Sequence, residues 1–278
     1  MFIDDVMKQT YPELSEPMMR PDAIFKIQNI ADYYYSMPNM DMIDYKKDVF
    51  SFMLPFKSCW FEYKQPPRII LPDKSAMIDE FSKCPTGIYA FQTVAENMAT
   101  IVGFNLYLEM HGIPRFIGAE LLVCDDHGKY PNPVQFDPRM KDNHLKSISK
   151  NIKPLEMAAS FLGLAIIPVV LTLNFLHCKN VARQEEFISK KLIKARQKRN
   201  KPYFEKYYTL QIEPMRKILD EQGEAKTKGL THALHICRGH FKNFEGKGLF
   251  GKYKGTYWWP AHVRGDEKVG IIKKDYSI

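Results

Sequence analysis

Two arginines and two histidines near the C-terminus, Arg238, His240, His262 and Arg264, are the residues of this chain best suited to chemistry on a phosphate. A guanidinium grips phosphate oxygens bidentately and keeps its charge throughout the physiological pH range. Imidazole titrates near neutrality, so a His240/His262 pair could serve as general base and general acid in a metal-free RNA cleavage that uses the 2′-hydroxyl. Trp258 or Trp259 offers a ring on which a base could stack. The bland reading stands beside this one. In ordinary sheets histidine bonds a backbone carbonyl and arginine covers an aromatic face. His232, His235 and Cys237 belong to the same segment but read as structure.

Other chemistries are poorly served. His232, His235, Cys237, His240 and His262 could in type ligate a metal, but they lack the tight Cys-x-x-Cys kind of spacing that zinc sites use, so no metal is assigned. Asp125-Asp126-His127-Gly128 reads as a turn, which collects such residues for backbone reasons. No Walker A sequence, Gly-x-Gly-x-x-Gly or Gly-x-Ser-x-Gly is present, so no cofactor is assigned either.

Strands must position the phosphate group. Residues 232–241, 255–265 and 269–276 read as three antiparallel strands, joined by a fourth, YYTLQI at 207–212. Period-two alternation puts Trp258, Pro260, His262 and Arg264 on one face and Tyr257, Trp259, Ala261 and Val263 on the other. Bringing Arg238 and His240 beside His262 and Arg264 requires a bulge at Gly239.

Charge supplies a second candidate region. The chain of 278 residues carries a net +8. Lys190, Lys191, Lys194, Arg196, Lys198, Arg199 and Lys201 contribute +7 with no intervening acid, and residues 225–278 contribute another +7, which leaves −6 for the remainder. An acidic partner such as nucleic acid is the natural use of that asymmetry; a solvated face is the plain alternative.

With 45% hydrophobic residues the chain can bury a core. Pro21-Asp22 followed by Ile24, Ile27, Ile30 and Tyr34 predicts an amphipathic helix. Residues 51–63 and 68–71 read as strands, and residues 100–124 as a hairpin turning at His111-Gly112. The polar stretch 130–153 is the best boundary. After it, MAASFLGLAIIPVVLTLNFLHC (157–178) has the length of a membrane span but holds polar residues and Pro168, and is read as a core helix kinked or broken there. QEEFISKKLIKARQKR, from Gln184, predicts a helix with acids in its first turn and bases in its last. Residues 214–222 read as a short helix. The expected fold is α+β: a mixed N-terminal half, then a buried helix and a basic helix packed with a C-terminal antiparallel sheet of three to four strands. The expected domains are 1–150 and 151–278. Five scattered cysteines and an acidic N-terminus without a signal-peptide pattern point to a reduced, cytoplasmic setting.

Cys-Arg-Gly-His-Phe-Lys (237–242), Gly-Leu-Phe-Gly-Lys-Tyr (248–253) and Trp-Trp-Pro-Ala-His-Val-Arg-Gly (258–265) resemble the closing segment of uncharacterised proteins encoded by phages and prophages. There an Arg-Gly-His-aromatic motif precedes a Pro-x-His-x-Arg-Gly motif. Leu173 to Asn180 and Lys194 to Pro202 are similar to the middle of the same proteins, so the resemblance covers about residues 170–278. It implies a soluble phage-type accessory protein and no mechanism. The leading expectation is nucleic-acid binding through the basic run and the Arg/His strand face. The alternatives are a metal-independent ribonuclease and a module that engages a host protein through exposed aromatics. No membrane partner is expected.

Overall fold

A computed structural model describes residues 1–8, 20–36, 51–66, 69–70, 77–78, 83–94, 100–124, 135–136, 154–201, 203–213, 218, 233–237, 239–259, 262–264 and 266–271. Only the backbone is described at 69–70, 77–78, 135–136, 154–162, 233–237, 262–264 and 266–271. The elements run α1 (Phe2–Val6), β1 (Ala23–Lys26), α2 (Gln28–Tyr35), β2 (Ser58–Lys64), β3 (Ile69–Ile70), β4 (Met77–Ile78), β5 (Pro85–Val94), β6 (Thr100–Met110), β7 (Ile113–Cys124) and β8 (Gln135–Phe136). Then come α3 (Pro154–Leu176), β9 (Val181–Phe187), α4 (Lys190–Gln197), β10 (Lys206–Ile212), β11 (Ala233–Cys237), β12 (His240–Leu249), β13 (Tyr253–Trp259), β14 (His262–Arg264) and β15 (Asp266–Ile271). The fold class is α+β.

Chain contacts define two compact units, Met1–Asn174 with Gln184–Thr209, and Phe175–Arg183 with Leu210–Ile278. The boundary expected at 130–153 falls outside the described residues except for β8. A mixed eight-stranded sheet, ordered β8-β7-β6-β5-β2-β1-β10-β9, frames the first unit. β1 is parallel to both β2 and β10, and β2, β5, β6, β7 and β8 pair antiparallel in succession. The β6–β7 hairpin turns as expected at His111 and Gly112, whose φ values of 52° and 76° match the two left-handed positions of a tight hairpin turn.

Each face of this sheet has its own cover. On one, Phe2, Ile3 and Val6 of α1 pack with Ile24, Trp60, Tyr89 and Tyr107. On the other, Phe25 stacks on Phe61 at 5.2 Å, and the Tyr63 hydroxyl donates to the Ala165 carbonyl of α3 at 2.7 Å. The helix is buried at every position from Leu164 to Phe175. It runs unbroken through Pro168, which has no N–H to offer the Leu164 carbonyl four residues back. That oxygen instead receives a long, 3.5 Å bond from the Tyr35 hydroxyl. Among the described residues, no helix is long and apolar enough to cross a membrane.

Four parts of the fold differ from the sequence expectation. Residues 23–26 are a strand and only 28–35 are helical, because Ala23, Ile24 and Phe25 are all buried in a central strand covered on both faces. The apolar spacing of a helix and the consecutive apolar run of a buried strand overlap here. QEEF is not the start of a helix but part of β9, at the end of the sheet order beside β10. YYTLQI is a strand, but it joins the large sheet beside β1 instead of a C-terminal meander. The C-terminal strands form a three-stranded sheet, β14-β11-β15, in which β11 and β15 run parallel, and a separate β12–β13 hairpin. The predicted helix at 214–222 lies outside the described residues apart from Ile218.

Candidate nucleic-acid interface

The basic run occupies α4 and the turn after it, in the first unit. Ser189 caps the helix, its hydroxyl accepting from the Leu192 N–H at 3.4 Å. At the other end Asn200 adopts a left-handed φ of 47°. The N–H groups of Asn200 and Lys201 return to the carbonyls of Gln197 and Arg196, each at 3.0 Å. This is a Schellman closure with asparagine in the position glycine usually takes, and Pro202 follows it. Lys198, Arg199 and Lys201 are therefore carried on a hydrogen-bonded closing turn.

At 100° per residue, Lys190, Lys191, Lys194 and Lys198 fall within an arc of about 100°. All four are exposed, as are Arg199 and Lys201. No described carboxylate pairs with any of the six. Arg196 is the exception and corrects the expectation for this run. It points away from the lysine stripe, on the side of Ile193, and its guanidinium is 2.5 Å from Asp4 of α1, whose side chain is only 3% exposed. Arg196 holds the fold together and is not placed to meet a ligand. Asp4, part of what reads in the sequence as an acidic N-terminus, owes this role to the tertiary contact.

The C-terminal group is built differently from its sequence reading. β11 pairs with β14 through His235↔Arg264, Ile236↔Val263 and Cys237↔His262. β12 pairs with β13 through His240↔Trp259, Phe241↔Trp258 and Lys242↔Tyr257. Between the two ladders, residues 238, 260 and 261 lie outside the described residues, and the bulge expected at Gly239 falls in that interval. The register sets His240 opposite Trp259, and His262 and Arg264 opposite Cys237 and His235. His240 is exposed and has no strand pairing with His262, so the convergence required for an acid/base pair is not formed by the ladder. Arg238 and His232 lie outside the described residues, as do Asp125, Asp126 and His127. Among the described residues no three His, Cys, Asp or Glu side chains converge as a metal-ligand set.

Trp258 is also corrected. It is 4% exposed, with its ring 4.7 Å from Phe241 and 5.0 Å from Phe175, so it cannot accept a base. Its backbone is held by Asn180, whose Oδ1 accepts from the Trp258 N–H at 2.9 Å and whose Nδ2 donates to the Trp258 carbonyl at 2.9 Å. The same Nδ2 donates to the Glu213 carbonyl at 2.8 Å. A buried amide thus imitates a strand partner along β13, a role no local sequence signal announces. Trp259 is the more accessible tryptophan, and the Lys242 ammonium lies 4.5 Å from its ring centroid. In comparisons with known proteins, no family model, no curated protein and no solved structure matches this chain.

Proposed function

We propose that this chain is a nucleic-acid-binding accessory protein that grips the phosphate backbone with Lys190, Lys191, Lys194 and Lys198 of α4, extended by Arg199 and Lys201. The observation that carries this reading is the exposed lysine stripe with no described carboxylate against it. A helix face that served only solubility would ordinarily mix charges of both signs. A host cytoplasm is the compartment implied by the resemblance of residues 170–278 to phage-encoded proteins. Recognition by such contacts is sequence-independent and dominated by counterion release.

Four phosphate contacts give a log–log salt slope of about −3, or about a 50- to 150-fold loss of affinity between 50 and 200 mM salt. Fluorescence anisotropy with labelled single- and double-stranded oligonucleotides measures it. Replacing Lys190, Lys191, Lys194 and Lys198 together by Gln abolishes most of the slope. No binding at low salt, or binding that ignores salt, refutes the proposal. A host-protein partner retained after nuclease treatment, with no oligonucleotide affinity, favours the interaction-module reading instead.

A further inference from the structure

The apex of the β12–β13 hairpin places an aromatic residue where the fold has no use for it. Leu249 and Tyr253 close the hairpin, and the Lys252 N–H returns to the Leu249 carbonyl at 3.1 Å. The two central residues, Phe250 and Gly251, have φ of 52° and 73°. Turns with two left-handed residues prefer Asn, Asp or Gly, and a bulky side chain there is strained. Phe250 accepts that conformation while remaining 54% exposed, outside the small aromatic cluster around Tyr253 and Tyr257. Its ring therefore gains little from folding, although the turn is costly to form with it.

The surroundings name a partner chemistry. Residues 240–259 carry Lys242, Lys247, Lys252 and Lys254 against a single acid, Glu245, which is occupied by the Asn243 amide at 2.8 Å. Lys247 and Lys254, both exposed, flank the apex. Residues 245–248 face the single residue Lys254 across the hairpin, and Gly246 and Gly248, at φ 71° and 75°, make that bulge possible. A protruding ring between lysines fits a polyanion with accessible π-faces.

We infer that the hairpin apex is a base-stacking element, with Phe250 stacking on an unpaired base and Lys247 and Lys254 on the adjoining phosphates. This inference rests on the reading of the chain as a nucleic-acid-binding protein, and it specifies single-stranded or frayed segments as the preferred target. Stacking on an already unpaired base is sequence-tolerant and worth about 5- to 140-fold in affinity. Prying open a duplex step with one ring costs about as much as the ring returns, so duplex is the poorer target. One exposed phenyl ring also buries less apolar surface than a single acyl chain, which by itself binds membranes only marginally.

The test uses the full chain and a 12-nucleotide single strand carrying 2-aminopurine, compared with its duplex. Phe250→Gly removes the ring while suiting the turn better, so loss of fold cannot mimic loss of stacking; Phe250→Trp restores a ring. The expected result is at least 5-fold preference for single strand and quenching of 2-aminopurine, both lost in Phe250→Gly and retained in Phe250→Trp. Unchanged affinity and quenching in Phe250→Gly overturn the inference, as does equal affinity for duplex. Phe250-dependent sedimentation with phosphatidylserine vesicles, without an effect on the oligonucleotide, overturns it in favour of a membrane contact. The α4 Gln variant separates the two proposals. If the α4 variant loses affinity for both strands while the Phe250-dependent preference persists, both proposals stand. Lost affinity in the α4 variant with no effect of Phe250→Gly overturns the hairpin alone, and intact affinity that depends on Phe250 overturns the α4 reading alone.

Discussion

Arg196 and Lys194 are two residues apart on α4, equal in charge and opposite in assigned role, so a paired substitution tests the reading directly. Alanine costs neither site helix propensity. Lys194→Ala removes one exposed cation with no described partner. The salt slope falls by about 0.7–0.9, which at 0.1 M salt is about a 5- to 8-fold weaker affinity, with stability unchanged within about 0.5 kcal/mol. Arg196→Ala leaves Asp4, 3% exposed, without its guanidinium. Losing one partner of a buried pair typically costs about 3–5 kcal/mol. The Met1 nitrogen, 2.9 Å from the same carboxylate oxygen, offsets part of this, and Arg196 is itself 22% exposed. A loss of about 2–3 kcal/mol is expected, with the salt slope unchanged. Urea unfolding reads the first quantity and anisotropy at four salt concentrations the second. If Arg196→Ala weakens binding as Lys194→Ala does while leaving stability intact, the division between contact and support on this helix is wrong.

Two further expectations concern the framework. Asn180→Ala strands the buried N–H and carbonyl of Trp258 and should cost about 2–4 kcal/mol by denaturant unfolding; a loss below about 0.5 kcal/mol would show that the amide bridge is dispensable. Glu120 sits on β7 between its register partners Phe104 and Phe136, and burial pushes its carboxyl up to about 7. A pKa raised on folding means that stability is full below the unfolded value near 4.5 and is lost as pH rises through about 7. Glu120→Gln should therefore raise the unfolding midpoint at pH 8 and change it little at pH 4; equal effects at both pH values would refute the assignment.

How far the sequence could be read depends on the range of the interactions involved. The hairpin at His111-Gly112 was legible because turn chemistry is local, and so was the basic character of residues 190–201. The extent of α4 was not: the acids of Gln184-Glu185-Glu186 fit a helix start, yet they form β9, because a place beside β10 in the sheet overrides a local preference. The core helix at Pro154–Leu176 was legible from composition, whereas the partner of the Leu164 carbonyl that Pro168 leaves unserved, Tyr35, comes from a segment 129 residues away. Strand parity put Trp258 with the polar residues because alternation marks faces without saying what covers them; Phe175 and Phe241 cover that one.

What the sequence determined by itself was the α+β class, the placement of positive charge and the residue types able to hold a phosphate, all of which follow from composition and short-range pattern. Which of those residues are available was decided only by tertiary structure. Arg196 is taken by Asp4, Trp258 by its aromatic neighbours and Asn180, and His240 is set by register opposite Trp259 and not His262. Register and ion pairing are long-range agreements between distant segments. A side chain's type limits the chemistry it can do, and the partner that reaches it first determines whether it remains free to do it.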